Sequence, residues 1–403
     1  HQPRRQRQMC IRDRIISFSK HKISRKDIDR DVFSIAERLE IEGHSSYVVG
    51  GFIRDSILGL VPKDFDIATD ATPEQIRRII PKSRIIGRRF KIVHARFGRK
   101  IIEISTFRSS DQRHIEKSSQ GLVLRDNTYG SIEEDAFRRD FTINSLYLNM
   151  KTMDILDFVG GYQDLNNKRL KSIGDSSKRF REDPVRILRA IRFKAKLGLE
   201  LDPELEKNIV SLSHLLDEIP SGRNYEETIK MFLTGNSIEI LDQMQKFNLT
   251  KYLIPITNDF LNSKKDRRFI KTALRNTDAR YKANKTLTPS FLFSVLLWPA
   301  FSRRIDAINS KKIRLSKINN ISNFILKKHS AKCFLPKHIQ NSIKEIWELQ
   351  ILLMKIPTKS KIALRRKLFR AGYDFLLLRE KSGENVTKVS KWWSDRASNV
   401  KKR

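Results

Sequence analysis

Asp64 and Asp66 stand two residues apart in the stretch PKDFDIATD (Pro62 to Asp70), with only Phe65 between them. In an extended strand, side chains at i and i+2 leave the same face, so the pair presents two carboxylates side by side. Such carboxylates repel each other unless a cation lies between them, and hard oxygen donors suit Mg²⁺. An isolated Asp-x-Asp is more often a solvated loop, so the neighbourhood decides. Upstream, Gly50-Gly51 separates the apolar run SYVV from a helix start carrying Arg54 and Asp55. Glycines there let the backbone approach an anion, free amides and the positive helix end face it, and Arg54 adds a charge-assisted bond to a phosphate. A phosphate-cradling turn, a short helix and a strand bearing two carboxylates, in that order, suit nucleotidyl transfer. Two Mg²⁺ ions about 4 Å apart would bridge the carboxylates, the nucleotide phosphates and an attacking 3′-hydroxyl.

The elements that must hold these groups are legible by period. Val32, Ile35, Ala36 and Leu39 predict an amphipathic helix over 29–42. SYVV (Ser46 to Val49) predicts a strand, followed by a short helix through Arg54 and Leu58 that Gly59 stops. DFDIAT reads as the next strand. Thr72-Pro73-Glu74-Gln75 is a capping box that opens a helix ending at Pro81. Strands are expected at Ser83 to Ile86, Lys91 to Phe97 and Ile101 to Phe107, then a polar loop over 109–130. From about residue 180 to 380 the periodicity is helical, and FLFSVLLWPAF (Phe291 to Phe301) reads as one buried helix, too short to span a membrane.

Composition narrows the partner. The chain of 403 residues has 81 Lys and Arg against 46 Asp and Glu, a formal net charge of +35. That surplus points to nucleic acid or an anionic surface. Cys10 and Cys333 are too few and too far apart for a disulfide framework or a zinc site, which fits a reducing, cytoplasmic setting without membrane. HQPRRQRQMCIRDR has no methionine before Met9 and reads as upstream or expression-derived sequence, so residues 1–19 are expected to be non-native or disordered. KWWSDRASNVKKR is expected to fray, with 394–403 a basic end.

VVGGFIRDSILGLVPKDFDIATDATPEQ resembles the core signature of the class II tRNA nucleotidyltransferase and poly(A) polymerase family of the polymerase β superfamily. RRDFTINSLY (Arg138 to Tyr147) resembles its ribose-contacting motif, and REDPVRILRAIRF (Arg181 to Phe193) its base-reading helix. The resemblance runs from about Lys20 to Trp393. It implies an α+β architecture: an N-terminal nucleotidyltransferase head with a mixed sheet over 20–160, a helical neck over 161–235, and a helical body and tail binding RNA over 236–393. It implies Asp64 and Asp66 as ligands of two Mg²⁺ ions and Asp140 as a third catalytic carboxylate, with Glu103 the alternative. Gly50, Gly51, Arg54, Arg139, Asn144, Asp183, Arg186 and Arg189 would bind the nucleotide. Asp183 also reads as the cap of its own helix, and Arg186 and Arg189 lie at i+3 and i+6 from it.

The family holds both CCA-adding enzymes and poly(A) polymerases. IIGRRFKIVHARF (Ile85 to Phe97), LRDNTYGSIEEDAFRRDFTIN, IWELQ and KLFRAGYDFLLLR resemble the bacterial poly(A) polymerase subgroup. The expected activity is therefore template-independent addition of AMP from ATP to RNA 3′ ends, promoting RNA decay, with RNA-decay proteins as partners. The GRRFKIVH segment, through Gly87 and Arg88, is the candidate that orients the base-reading residues. The alternatives are CCA addition to tRNA, or an inactive RNA-binding protein. Phe52, where a smaller residue is often found, and Asn224, where an apolar residue is expected, depart from the family pattern.

Overall fold

The computed structural model describes residues 14–62, 64–87, 91–109, 116–117, 123–125, 128–308 and 314–400. The chain divides into two compact units, residues 1–212 and 213–403. The expected neck, 161–235, is therefore split: its base-reading helix belongs with the first unit.

The first unit is built on an eight-stranded mixed sheet. Its strands are β1 (Ile15–Ile16), β2 (Ser46–Val49), β3 (Asp66–Thr69), β4 (Ser83–Ile86), β5 (Ile92–Phe97), β6 (Lys100–Thr106), β7 (Leu146–Asn149) and β8 (Ile155–Asp157), in the spatial order β1-β8-β7-β2-β3-β6-β5-β4. Its helices include α1 (Arg30–Ile41), α2 (Gly51–Ile57), α3 (Pro73–Ile79), α4 (Ile132–Arg138), α5 (Ser176–Glu182), α6 (Val185–Leu197) and α7 (Pro203–Leu212). α1 buries Val32, Ile35, Ala36 and Leu39, and Asp29 caps it by accepting from the Asp31 N–H. The capping box forms: Thr72 Oγ1 accepts from the Gln75 N–H, and Gln75 Oε1 from the Thr72 N–H. Val48, Val49, Ile67, Ala68, Ile104, Leu146 and Leu148 are fully or almost fully buried at the sheet centre.

Four expectations are corrected here. Strand β3 begins at Asp66, so Asp64 precedes it. Its antiparallel partner β2 ends at Val49, paired with Asp66, and the chain then leaves the sheet at Gly50 with φ +74°, so β2 offers Asp64 no partner. Residues 14–19 are not a detached segment, because Ile15 and Ile16 pair with Leu156 and Ile155 at the sheet edge. The polar stretch 109–130 contains a two-stranded ladder, Glu116–Lys117 with Val123–Arg125. FLFSVLLWPAF forms two helices, Pro289–Leu296 and Trp298–Asp306, because Pro299 fits the first turn of a new helix. Gly87 follows β4 with φ +85°, while Arg88 and the N-terminal residues 1–13 lie outside the described residues.

The second unit is helical in its regular elements, with an aromatic interior. Trp347 stacks on Phe301 with centroids 4.6 Å apart, and its Nε1 donates to the Ser294 carbonyl at 3.0 Å. Trp393 is fully buried, and its Nε1 donates to the Leu353 carbonyl at 3.0 Å. A buried ring of that size contributes about 3 kcal/mol. This anchors the helix Thr387–Val400, so the stretch expected to fray is helical as far as residue 400. Asn224 is buried and donates to the Lys332 carbonyl at 2.8 Å, a role no apolar residue could fill. No helix of the described residues is long and apolar enough to cross a membrane.

His329 is fully buried against Phe293, with ring centroids 5.4 Å apart. Neither ring nitrogen has a hydrogen-bond partner among the described residues. Burial pushes its pKa down to about 4. The unfolded chain then binds one more proton than the native state between about pH 4 and the ordinary 6.5, so stability falls as pH drops through that window. The loss is about 2 kcal/mol by pH 5. Denaturant unfolding of His329→Phe is expected to lose that increment of acid sensitivity relative to the parent chain. Parallel pH profiles for the two proteins would contradict the assignment.

Candidate active site

The carboxylate end of the site is set by strand register. β3 runs antiparallel to β2 and parallel to β6, which aligns Asp66 with Glu103. Asp66 is partly buried, whereas the Glu103 side chain is half exposed and lies 3.2 Å from His94 Nε2. Burial and then the Glu103 charge push the Asp66 carboxyl up to about 6, with Asp64 adding to the rise and Arg139 and Arg54 opposing it. Phe52 is buried, and its ring packs on Phe65 at 4.7 Å between centroids. The unusual size of Phe52 thus pins the one residue between the two aspartates.

Asp140 does not share this position. Its Oδ1 accepts from the Phe141 N–H at 2.8 Å and from Asn144 Nδ2 at 3.1 Å, and Arg189 Nη2 lies 2.6 Å from its Oδ2. Burial would raise its pKa, but Arg189, Asn144 and Arg186 together hold it below the usual carboxylate range. Of the two candidates for a third carboxylate, Glu103 is therefore the one in register with Asp66. The parallel ladder sets Glu103 beside Asp66, while Asp140 is committed to an arginine.

Among the described residues, no three His, Cys, Asp or Glu side chains are gathered closely enough to hold a metal ion as they stand. That fits Mg²⁺, which binds through one or two carboxylates and completes its shell with water and substrate phosphate. The all-oxygen donor set fits the same ion, as do the burial and the Glu103 charge that raise Asp66.

The glycine turn meets the ribose motif. A Cβ on Gly50 would lie 3.6 Å from the Asn144 carbonyl oxygen and 3.9 Å from Arg139 Nη1, and one on Gly51 would lie 3.7 Å from Arg54 Nη2. Arg139 is held by Asp135 and Tyr147. Its Nε donates to Tyr147 Oη at 2.8 Å, its Nη2 to Asp135 Oδ2 at 2.9 Å, and Tyr147 Oη donates to the same carboxylate oxygen at 2.6 Å. Sequence reasoning missed Asp135 and Tyr147, although Asp135 lies one helical turn before Arg139.

Arg54 is buried, and its guanidinium is held by partners within the chain. Its Nε and Nη2 donate to Asp55 Oδ1 at 2.8 and 2.6 Å, its Nη1 donates to Asn144 Oδ1 at 2.6 Å, and its guanidinium lies over the Phe193 ring at 4.9 Å.

On the base-reading segment, the three residues have different surroundings. Asp183 Oδ1 accepts from the Val185 N–H at 3.3 Å, so the capping role is observed. Arg186 donates to the Arg179 carbonyl at 3.4 Å and lies 3.6 Å from Glu182, and burial with the Arg179 charge lowers its pKa to about 10. Arg189 pairs with Asp140. Of the three, the structure ties Arg189 directly to the ribose motif.

Three family descriptions match the chain: "Poly A polymerase head domain" over residues 46–171, "Probable RNA and SrmB- binding site of polymerase A" over 198–261, and "Polymerase A arginine-rich C-terminus" over 315–403. The chain is 37% identical to Poly(A) polymerase I of Salmonella typhi over 396 residues, 94% of this chain and 85% of that one. Against Poly(A) polymerase I of Haemophilus influenzae it is 36% identical over 398 residues, covering 94% and 87%. A CCA-adding enzyme of Streptococcus pneumoniae is 36% identical over 199 residues, 49% of each chain. Among solved structures, a CCA-adding enzyme in its apo form I superposes with TM-score 0.63 at 19% identity, covering 96% of this chain and 86% of that one. A tRNA nucleotidyltransferase complexed with a primer tRNA and an incoming ATP analog gives 0.59 at 21%, covering 92% and 100%. At these identities the structures establish the shared fold. The close sequence relatives establish more: the chain belongs to the bacterial poly(A) polymerases, the polynucleotide adenylyltransferases of the class II tRNA nucleotidyltransferase/poly(A) polymerase family.

Proposed function

We propose that this chain adds AMP from ATP to RNA 3′ ends by metal-assisted nucleotidyl transfer at Asp64, Asp66 and Glu103. The observation that carries the reading is the register of Asp66 with Glu103 beside a glycine turn that faces Arg139. Asp64 and Asp66 would hold two Mg²⁺ ions with Glu103 in support, and the ions would supply neutralisation of the phosphates and a lowered pKa for the attacking hydroxyl. The residues of the chain do the rest. Gly50 and Gly51 give the triphosphate close access to backbone, and Arg139, oriented by Asp135 and Tyr147, faces its negative charge. Asp140 and Asn144 address the ribose. Asp183, Arg186 and Arg189 offer donors and acceptors to the adenine edge, a protein surface in place of a template. The RNA 3′-oxygen attacks the α-phosphorus, the bond to the bridging oxygen breaks, and pyrophosphate leaves.

The formal charge of +35 suits an enzyme that grips many RNAs through phosphates. The match of residues 198–261 to a region described as binding RNA and SrmB supports RNA and a protein partner for this chain. We place the activity in the cytoplasm and assign the tails to RNA turnover. CCA addition is the second reading, because half of the chain is 36% identical to a CCA-adding enzyme.

Asp66→Ala and Asp64→Ala are each expected to cut AMP incorporation at least about 10³-fold, since a lost metal ligand removes several kcal/mol of transition-state stabilisation. Glu103→Gln should cost about tenfold, a smaller loss because that side chain is half exposed and supports the site rather than leading it. RNA binding by all three should match the parent. Gel-resolved primer extension and filter binding measure both quantities, and near-parental activity in either aspartate variant would remove the proposed site. The choice between activities is read with tRNA lacking its terminal CCA, given CTP and ATP separately and together. Long A tails on this tRNA and on unrelated RNA, with CTP used poorly, are expected. Two C additions followed by one A, and no tails elsewhere, would make the chain a CCA-adding enzyme.

A further inference from the structure

Arg189, Phe193 and Lys196 recur at i, i+4 and i+7 along α6, so they share one face of the helix. All three have partners in a circuit of contacts with α2 and the ribose motif. Arg189 pairs with Asp140, Asp140 accepts from Asn144, and Asn144 accepts from Arg54. Arg54 donates twice to Asp55 Oδ1, and Lys196 Nζ lies 3.5 Å from Asp55 Oδ2, which returns the circuit to α6. Phe193 fills the middle: Arg54 lies over its ring at 4.9 Å, Arg189 at 5.9 Å, and Phe141 meets it edge-on at 5.8 Å.

Asp55 is buried and shared by two cations, one from each helix. Nothing in the reaction as derived above uses it or Lys196. Asp55 reaches Asn144, which serves the reaction, through Arg54, and Lys196 reaches it through Asp55. The Arg54 guanidinium that Asp55 orients also borders Gly51 of the turn and holds Asn144. Lys196 stands two turns along the helix from Arg189.

We propose that Asp55 and Lys196 are positioning residues for base selection: their ion pair fixes α6 against α2, so that Arg189 and Asp140 meet the nucleotide in one register. A site that discriminates by hydrogen bonds must hold its groups to a fraction of an ångström, and loosening it costs selectivity before it costs chemistry. Lys196 is the gentler point of attack, because its side chain is one-third exposed and only its charge reaches Asp55. Asp55→Asn strips the charge partner from a buried arginine and threatens folding.

The test measures kcat and KM for ATP and for CTP on an oligo(A) primer with Lys196→Met, Lys196→Arg and Asp55→Asn, alongside thermal unfolding. Lys196→Met is expected to lower the ATP-over-CTP ratio of kcat/KM about tenfold, mainly through KM for ATP, with kcat at saturating ATP within about threefold of the parent. Lys196→Arg should keep the parental ratio, and Asp55→Asn, where it folds, should lose at least as much as Lys196→Met. A Lys196→Met ratio within twofold of the parent, an equal loss for both nucleotides, or a failure of Lys196→Arg to retain selectivity would overturn the inference. It rests on the reading of α6 as the base-selecting helix. A parent enzyme without preference for ATP would remove that reading too, whereas a selective parent with an equally selective Lys196→Met removes the inference alone.

Discussion

Two carboxylates of like charge, Asp66 and Glu103, are locked side by side by a parallel strand pair, and the head domain is organised around that constraint. Burial and then the Glu103 charge raise the Asp66 carboxyl to about 6. Sheet hydrogen bonds between fully buried neighbours such as Ile67, Ala68 and Ile104 keep the pair from separating. The β2–β3 ladder ends at Val49 and Asp66, so Asp64 and the glycine turn both lie just beyond it.

The positive groups obey a complementary rule. Arg54, Arg139 and Arg189 are each held by a carboxylate: Asp55, Asp135 and Asp140 respectively. Burying a guanidinium without a partner would cost several kcal/mol, and the buried Arg54 and largely buried Arg139 each have a carboxylate from their own segment beside them. Asp140, bonded to Asn144 and paired with Arg189, links the Arg138–Tyr147 segment to α6.

Much of this was legible in the sequence because the signals are local. Helix α1 follows from apolar spacing, α3 from its capping box, and β2 from SYVV, each decided within a few residues. What sequence reasoning missed depends on partners distant in the chain. Asp64 falls outside β3, whose ladder with β2 stops at Val49 and Asp66, and no property of DFDIAT reveals where that ladder stops. Glu103 is found beside Asp66 only once β3 and β6 are seen to run parallel. Phe52 looked like a departure until its ring met Phe65, and the final tryptophans looked frayed until Trp393 was found buried and bonded to Leu353. From the sequence Arg54 reads as a phosphate contact, because the turn before it suits an anion. Its true partners, Asn144 and Phe193, are supplied by elements far along the chain.

The most direct measurement is extension of an oligo(A) primer by the purified chain with ATP and Mg²⁺, followed on a denaturing gel over time. The account predicts a growing ladder of AMP additions that disappears when the divalent cation is chelated and returns when it is restored. A folded chain that binds RNA and ATP yet adds no nucleotide under these conditions would contradict it, and would mark the scaffold as an inactive RNA-binding protein.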